Sequence, residues 1–164
     1  MPPSRRRNSI ESAVVMKTVR LGESHRGVTL LTPERGIVFA AAYGAGKTGS
    51  KLKAIATPFA HVKAYLYHDP TRDTYKVTDV ETVNIHGLIR THLTKFFTAS
   101  LWVEIILQSH GGGADTNIVY GLITEALDIL DSAGKTDIGS ISIQVLWRSL
   151  RHLGVNPDLD HCDA

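Results

Sequence analysis

The sequence contains a single cysteine and lacks any long apolar run. Cys162 cannot form a disulfide within the chain, and this composition is typical of proteins that work in a reducing cytoplasm. The longest strongly apolar stretch, residues 101–107, is far too short to span a bilayer. No apolar segment follows the basic N-terminus MPPSRRRNS, which argues against a secretory signal. Residues 1–10 are therefore predicted to be a disordered basic tail.

Patterns that carry catalysis or bind metals are also missing from the sequence. It offers no acid–base pair and no nucleophile with a neighbouring base, so we expect a protein that is not an enzyme and needs no cofactor. The pair His161 and Cys162 supplies two potential ligands, which do not close a structural zinc site, and no bound metal is predicted. The remaining histidines have no ligand-like spacing and are predicted to lie on the surface: His25, His61, His68, His86, His92, His110 and His152.

The two halves of the chain differ in charge. Residues 1–85 contain 13 Lys and Arg against 7 Asp and Glu, whereas residues 86–164 contain 5 against 9. A basic front half joined to an acidic back half predicts two modules, of which the first is suited to a polyanion. A solvated surface without any partner would show the same asymmetry.

The front half shows the alternation that is typical of β-strands. Five strands are predicted, at residues 13–20, 28–32, 36–43, 61–67 and 75–83, with the tight turn TPERG between the second and the third. Five short strands with a long insertion between the third and the fourth predict a small closed or partly closed barrel.

The back half shows helical periodicity. Segments 88–97 and 101–108 are dense in Leu, Ile, Phe and Trp, and two further helices are predicted at about 118–130 and 138–153. Asp115 or Thr116 is the expected N-cap of the first of these two.

Near His86 the spacing of the apolar residues changes from every second residue, as in strands, to about every 3.6 residues, as in helices. We therefore predict an α+β protein with a barrel domain at residues 11–85 and an all-helical domain at residues 86–164.

The stretch AAYGAGKTGSK, residues 41–51, invites a nucleotide-binding interpretation. The phosphate-binding pattern G-x-x-x-x-G-K-[ST] ends in GKT at residues 46–48, but Ala41 replaces its first glycine. The pattern also requires a helix directly after the Thr, and the following GSKLKAIATPF leaves room for one or two turns at most. Nucleotide binding is therefore the weaker alternative.

The same stretch is better explained as a mobile basic loop between two barrel strands. Its glycines give flexibility, and loops of this kind close over a nucleic-acid backbone in many oligonucleotide-binding barrels. Residues 17–53 contain 7 basic against 2 acidic residues. The predicted phosphate contacts are Arg20, Arg26, Arg35, Lys47, Lys51 and Lys53.

Lys63, Tyr65 and Tyr67 alternate along the predicted fourth strand and share its outward face. Tyr65 and Tyr67 are candidate stacking sites for bases. Packing against a neighbouring domain is the alternative explanation for two tyrosines on one strand face.

Residues 21–52, LGESHRGVTLLTPERGIVFAAAYGAGKTGSKL, resemble the N-terminal region of the bacterial recombination mediator family RecO. The resemblance continues more loosely through LKAIATPFAHVKAYLY and VTDVETVN, and returns in LRHLGVNPDLDHC at residues 150–162. The resemblance covers nearly the whole chain, and the matching segments occur in the same order as in the family. It implies an oligonucleotide-binding (OB) barrel followed by a helical domain.

The resemblance also implies a function in DNA repair and recombination. Members of the family bind single- and double-stranded DNA, anneal complementary strands and help to load RecA onto strands coated by single-strand-binding protein. The implied partners are RecR and the C-terminal tail of single-strand-binding protein, which docks on the helical domain. The family's basic loop usually has an arginine soon after its Gly-Ala, where this chain has Gly46. A protein-binding adaptor that touches no nucleic acid is the remaining alternative.

Cys162 matches the first zinc ligand of the family, and the sequence ends at Ala164 before a second ligand. A fragment of a longer protein and a shortened relative both fit this ending.

Overall fold

A computed structural model describes residues 7–109, residues 115–152 and Gly154. The strands are β1 (Asn8–Leu21), β2 (His25–Thr32), β3 (Gly36–Ala42), β4 (His61–Asp69) and β5 (Thr74–Asn84). The helices are α1 (Gly87–Thr91), α2 (Leu93–Gln108), α3 (Thr116–Ser132) and α4 (Ile138–His152). A short 3-10 turn, Ala54–Ala56, lies between β3 and β4.

The five strands form a closed barrel in the order β1-β2-β3-β5-β4. All neighbours are antiparallel except β3 and β5, which pair in parallel through Ala40–Tyr75 and Ala41–Lys76. A register shift between Val15 and Lys17 bends β1, so its first half pairs with β4 and its second half with β2. The predicted five-stranded barrel followed by helices is confirmed.

The barrel interior is filled by the inward residues of every strand. Its core includes Val15, Leu30, Val38, Val62, Leu66 and Val77, all nearly or fully buried. Ile55 of the 3-10 turn is also fully buried there, so the chain between β3 and β4 returns to the core before β4 begins. Because each large aliphatic side chain gains about 1.5–3 kcal/mol on full burial, this alternation alone stabilises the closed sheet strongly.

A second apolar cluster joins the barrel to the helices. Val14, Leu31 and Phe59 from the barrel side pack with residues of all four helices, among them Trp102 and Leu127. The indole of Trp102 is 2 % exposed, and its Nε1 donates a hydrogen bond to Ser142 Oγ at 3.4 Å. The two parts of the chain therefore share a buried core, although β5 ends at Asn84 and the first helix begins at Gly87.

The start of α3 is docked on the turn between β2 and β3. Asp115 caps the helix by accepting a hydrogen bond from Asn117 N at 2.9 Å, as predicted. Thr116 Oγ1 donates to Pro33 O at 2.7 Å. A Cβ on Gly36 would lie 2.9 Å from Thr116 Cγ2, and Gly36 has a φ of +67°, so this approach requires glycine.

Two boundaries differ from the sequence-based expectation. β1 begins at Asn8, which pairs with Tyr67, so residues 8–10 belong to the barrel rather than to a tail. The predicted helical segment 88–97 is interrupted at His92, which is extended with φ −112° and ψ 114°. From Leu93 the helix continues without a break to Gln108, because this segment contains neither Pro nor Gly.

The surface prediction for the histidines is wrong for two of them. His86 is fully buried, with a carboxylate partner, Asp128, on a distant helix, and His68 is 7 % exposed, with its partner Asp73 in the turn that follows β4. His110, His161 and Cys162 lie outside the described residues.

Candidate nucleic-acid interface

The turn between β1 and β2 meets the long loop between β3 and β4 at one mouth of the barrel. Gly46 N donates to Ser24 O at 3.0 Å, and Gly44 N donates to His25 Nδ1 at 3.0 Å. Ala45, between these two glycines, is 4 % exposed and packs in the barrel core. The first half of the loop is thereby held against the β1–β2 turn.

Three of the predicted phosphate contacts come together at this mouth. Arg20 and Arg26 are direct cross-strand partners on β1 and β2. The guanidinium of Arg26 lies over Gly46, where an added Cβ would be 2.7 Å from its nearest nitrogen. Lys47 follows directly and is exposed. We call Arg20, Arg26 and Lys47 the mouth cluster.

The mouth cluster lacks carboxylate partners within the described part of the chain. Among the described residues, the Arg26 guanidinium donates a hydrogen bond from Nη1 to the backbone oxygen of His25 at 2.9 Å. Like charges directly opposite each other on neighbouring strands destabilise a sheet unless an anion neutralises them. The arrangement therefore favours a bound anion at the mouth.

Lys51 and Lys53 are exposed residues in the second half of the same loop. Here the backbone forms successive turns, with Ser50 N donating to Lys47 O at 3.1 Å and Lys53 N donating to Ser50 O at 3.2 Å. No α-helix follows Thr48 before β4 in this described region, so the helix that a phosphate-binding loop requires is missing. The loop is instead a chain of turns that presents lysines to solvent.

Arg35 lies elsewhere and has an internal partner. Its Nε donates to Glu11 Oε1 at 2.7 Å, and the Glu11 side chain is 7 % exposed. Its Nη1 also donates to Tyr75 OH at 3.4 Å. The hydrogen bond to Glu11 raises the pKa of Arg35 above its ordinary value, so the guanidinium is held by a buried carboxylate.

Tyr65 and Tyr67 point outward from β4, as predicted, on a face bounded by β1 and β5. Tyr65 OH donates a hydrogen bond to the Glu81 carboxylate, which raises the pKa of Tyr65 and lowers that of Glu81. Lys63 Nζ lies 3.5 Å from the same carboxylate. This face has its own acidic partner, and its role in stacking stays a prediction.

The outer face of β1, β2 and β3 contains aromatic residues that the sequence-based selection missed. We call this the three-strand face, defined by Lys17, Val19, Gly27, Thr29, Phe39 and Ala41, which are paired across the strands. Phe39 is 71 % exposed, and Tyr43 is 55 % exposed beyond the end of β3. The signal was present in the sequence, because Val38, Ala40 and Ala42 alternate with these outward positions.

Two clefts flank the three-strand face, and it continues to the mouth cluster. One cleft, of about 650 Å³, extends to the end of α2, and the other, of about 550 Å³, extends to Tyr75. At the mouth the ring of His25 makes an edge contact with Tyr43, with 5.2 Å between centroids. Lys76 Nζ lies 5.9 Å from the centroid of the Tyr43 ring, so a cation and two aromatic rings lie side by side here.

A closed five-stranded barrel with a basic loop at its mouth and exposed aromatic rings on its outer strands has the features of an OB-fold protein. Residues 7–86 match the family model described as the N-terminal part of recombination protein O. The barrel region of the chain therefore corresponds to the N-terminal part of the recombination protein O family.

Relatives match over most of this chain. The DNA repair protein RecO of Exiguobacterium sibiricum is 29% identical over 149 residues, which cover 91% of this chain and 58% of the relative. The proteins of the same name from Anaeromyxobacter sp. and Heliobacterium modesticaldum are 30% and 32% identical over 156 and 152 residues, with 93% and 92% of this chain covered. These alignments span 59% and 53% of the two relatives. The chain thus spans somewhat over half the length of the relatives it matches.

The described residues lack two kinds of feature. None of the described helices is long and apolar enough to cross a membrane. No group of three or more His, Cys, Asp or Glu side chains in the described ranges is arranged to hold a metal ion.

Proposed function

We propose that the barrel binds DNA through its mouth cluster, with Lys51 and Lys53 adding phosphate contacts from the same loop. The observation that carries this proposal is the cross-strand pairing of Arg20 with Arg26 beside Lys47, none of which forms a salt bridge with a described carboxylate. Phosphate oxygens are the anions that arginine forks fit best. Arg35, Tyr65 and Tyr67 are secondary proposed contacts, because Arg35 is paired with Glu11 and the face that carries both tyrosines contains Glu81, the partner of Tyr65.

The biological role that fits this site is that of a DNA recombination mediator acting without catalysis in the cytoplasm. Annealing requires no active site, because neutralising both strands lowers their repulsion and lets base pairing nucleate. The relatives are named DNA repair proteins, which supports a role in repair and recombination. Loading of RecA onto strands coated by single-strand-binding protein, with RecR as a partner, completes the proposal.

The helical part offers a place for the C-terminal tail of single-strand-binding protein. A groove of about 580 Å³ runs between α3 and α4, with Ile118 and Leu122 on one side and Arg148 and Arg151 on the other. Arg148 is paired with Glu125 of the same groove at 3.4 Å, whereas Arg151 forms no salt bridge with a described carboxylate; an apolar wall beside this guanidinium suits a peptide that ends in a free carboxylate. We therefore propose this groove as the docking site of the tail.

Fluorescence anisotropy with a labelled single-stranded oligonucleotide tests DNA binding. The logarithm of the association constant should fall with the logarithm of salt concentration, with a slope of about −0.7 per phosphate neutralised. Lys47→Glu with Lys51→Glu should weaken binding and flatten this slope. Arg90→Glu with Lys135→Glu makes the same change of charge on exposed residues of the helical part and serves as the matched control.

Two results would overturn the proposal. Equal weakening by both double variants would show that only net charge matters, and the absence of binding at low salt would leave the protein-binding adaptor as the better explanation. A shift in melting temperature on adding ATP or GTP with Mg²⁺ would instead revive the nucleotide-binding alternative.

A further inference from the structure

Among the exposed Phe, Tyr and Trp residues that the structure describes, Phe39 is the most exposed. It lies in the middle of β3, opposite Thr29 on β2, with 71 % of its surface exposed. A phenylalanine gains about 1.5–3 kcal/mol when fully buried, and Phe39 forgoes most of this gain in the isolated chain. A ring in this position is free to bind a ligand on its face.

The surroundings of Phe39 leave room for a flat ligand. The two clefts of the three-strand face share Lys17, Thr29 and Phe39 in their linings, so the ring stands between two recesses. Gly27 and Ala41, one step further along the strands toward the mouth, have the smallest side chains on this face. The side chains of Val19 and Leu21 cover Gly27, where an added Cβ would lie 2.8 Å from Val19 Cγ2, so the space for a planar ring is in the two recesses beside Phe39.

Cations lie at the edges of the same face. Lys17 lines both clefts and forms no salt bridge with a described carboxylate, while Glu104 lines one cleft and Asp73 the other. At the mouth end the face continues to Tyr43 and His25, next to Arg26 of the mouth cluster. A ligand that combines planar rings with regularly spaced negative charges matches this arrangement, and a single-stranded nucleic acid has this chemistry.

We propose that Phe39 stacks on a base of a bound single strand and makes the three-strand face select single-stranded over double-stranded nucleic acid. The proposal rests on DNA binding by the barrel. In a duplex the faces of the bases are covered by their neighbours, so Phe39 gains nothing there, whereas the phosphates reach the mouth cluster in both forms. The cations therefore set affinity for either form, and the ring adds affinity for single strands alone.

Tyr43, just beyond the end of β3, is a second exposed aromatic residue with which Phe39 can be compared. Lys76 Nζ lies 5.9 Å from the centroid of its ring, and His25 contacts its edge. Phe39 and Tyr43 are four residues apart, about 13 Å along an extended chain, so one base cannot contact both rings. Because its ring already has two neighbours, Tyr43 contributes less to stacking than Phe39.

The test compares the affinity of Phe39→Ala for a single-stranded oligothymidine and for a duplex of equal length, at several salt concentrations. We expect the single-strand affinity to fall roughly fivefold or more, as for the loss of one stacked base, with duplex affinity and both salt slopes unchanged. Phe97→Ala, which removes a ring that is 61 % exposed on α2, is the matched control and should change neither affinity. Phe39→Trp should restore single-strand binding, and Tyr43→Ala should have the smaller effect.

The outcomes separate this inference from DNA binding itself. Unchanged single-strand affinity of a folded Phe39→Ala, or equal losses for the single strand and the duplex, would overturn the stacking role and leave DNA binding by the mouth cluster intact. Failure of the unmodified chain to bind either form would overturn both. Melting temperatures of the variants establish that each one is folded.

Discussion

The imidazole of His86 is hydrogen-bonded to the carboxylate of Asp128, with 2.8 Å between Nε2 and Oδ1. Its other ring nitrogen, Nδ1, donates to Phe59 O at 2.7 Å. His86 follows β5, Asp128 belongs to α3 and Phe59 precedes β4, so one buried ring connects three segments that are distant in sequence. The two hydrogen bonds of the His86 ring therefore link the barrel to the helical part.

Replacing His86 by alanine should lower the free energy of unfolding by about 2–3 kcal/mol, because two hydrogen bonds are lost and the Phe59 carbonyl is left without its donor. Urea denaturation measures this change. His92→Ala is the matched control, since His92 is exposed, and should stay within about 0.5 kcal/mol of the unmodified chain. Equal stability of the two variants would show that the His86 contacts do not hold the two parts together.

His61 should respond to pH in a predictable direction. Burial lowers its pKa below the ordinary 6.5, an effect that the Asp128 carboxylate opposes and His86 reinforces. The folded state therefore binds a proton less readily than the unfolded state. The stability due to neutral His61 is complete above the unfolded pKa and is lost as pH falls through 6.5 toward the folded pKa.

An NMR titration of the His61 ring measures this pKa directly. Denaturation at pH 7.5 and at pH values below 6.5 should show a loss of stability that is smaller in His61→Gln. A measured pKa at or above the ordinary value would contradict the prediction. Tyr120 OH, 2.8 Å from His61 Nε2, offers a hydroxyl partner to the neutral ring.

Arg35→Ala should destabilise the barrel by about 2–3 kcal/mol, because the nearly buried carboxylate of Glu11 loses its charged partner. Adding Glu11→Gln should recover part of this loss, and the double-mutant cycle measures the coupling between the two residues. If the stability changes of the two single substitutions simply add up in the double variant, the ion pair does not stabilise the barrel and the prediction is contradicted. The double variant also tests the predicted phosphate contact, since its salt slope for single strands should be smaller by about 0.7 if Arg35 neutralises a phosphate.

Gly46→Ala should weaken DNA binding while leaving the fold intact. The new Cβ would lie 2.7 Å from the guanidinium of Arg26, which is the flexible end of a long side chain and can move away. We expect a loss of affinity of about fivefold, equivalent to one weakened hydrogen bond. Gly121→Ala, where nothing lies within 4 Å of the added Cβ, should bind DNA as the unmodified chain does. Unchanged binding by Gly46→Ala would remove Arg26 from the proposed contacts.

The alternation and periodicity of the sequence were sufficient to predict the order and type of the main elements. The β4 pattern of Val62, Ala64 and Leu66 facing inward is local information, and so is the Asp115 cap of α3. The start of β1 was missed because residues 8–10 gain their partners from β4, more than fifty positions further along the chain. Pairing at that distance leaves no local pattern.

The candidate site was predicted only in part for the same reason. Sequence composition identified a basic segment but could not show which of its cations meet. Arg20 and Arg26 come together through strand pairing, and Lys47 joins them because the loop bonds to Ser24. Arg35 was selected on charge, while the structure places it against Glu11.

By itself the sequence determined the barrel-then-helices architecture and the basic character of the front half, since both depend on side-chain alternation and composition along the chain. The tertiary structure decided which charges remain available, which histidines are buried and which aromatic ring faces solvent. These properties depend on the barrel's register and closure and on the docking of α3, which bring together residues that are remote in sequence.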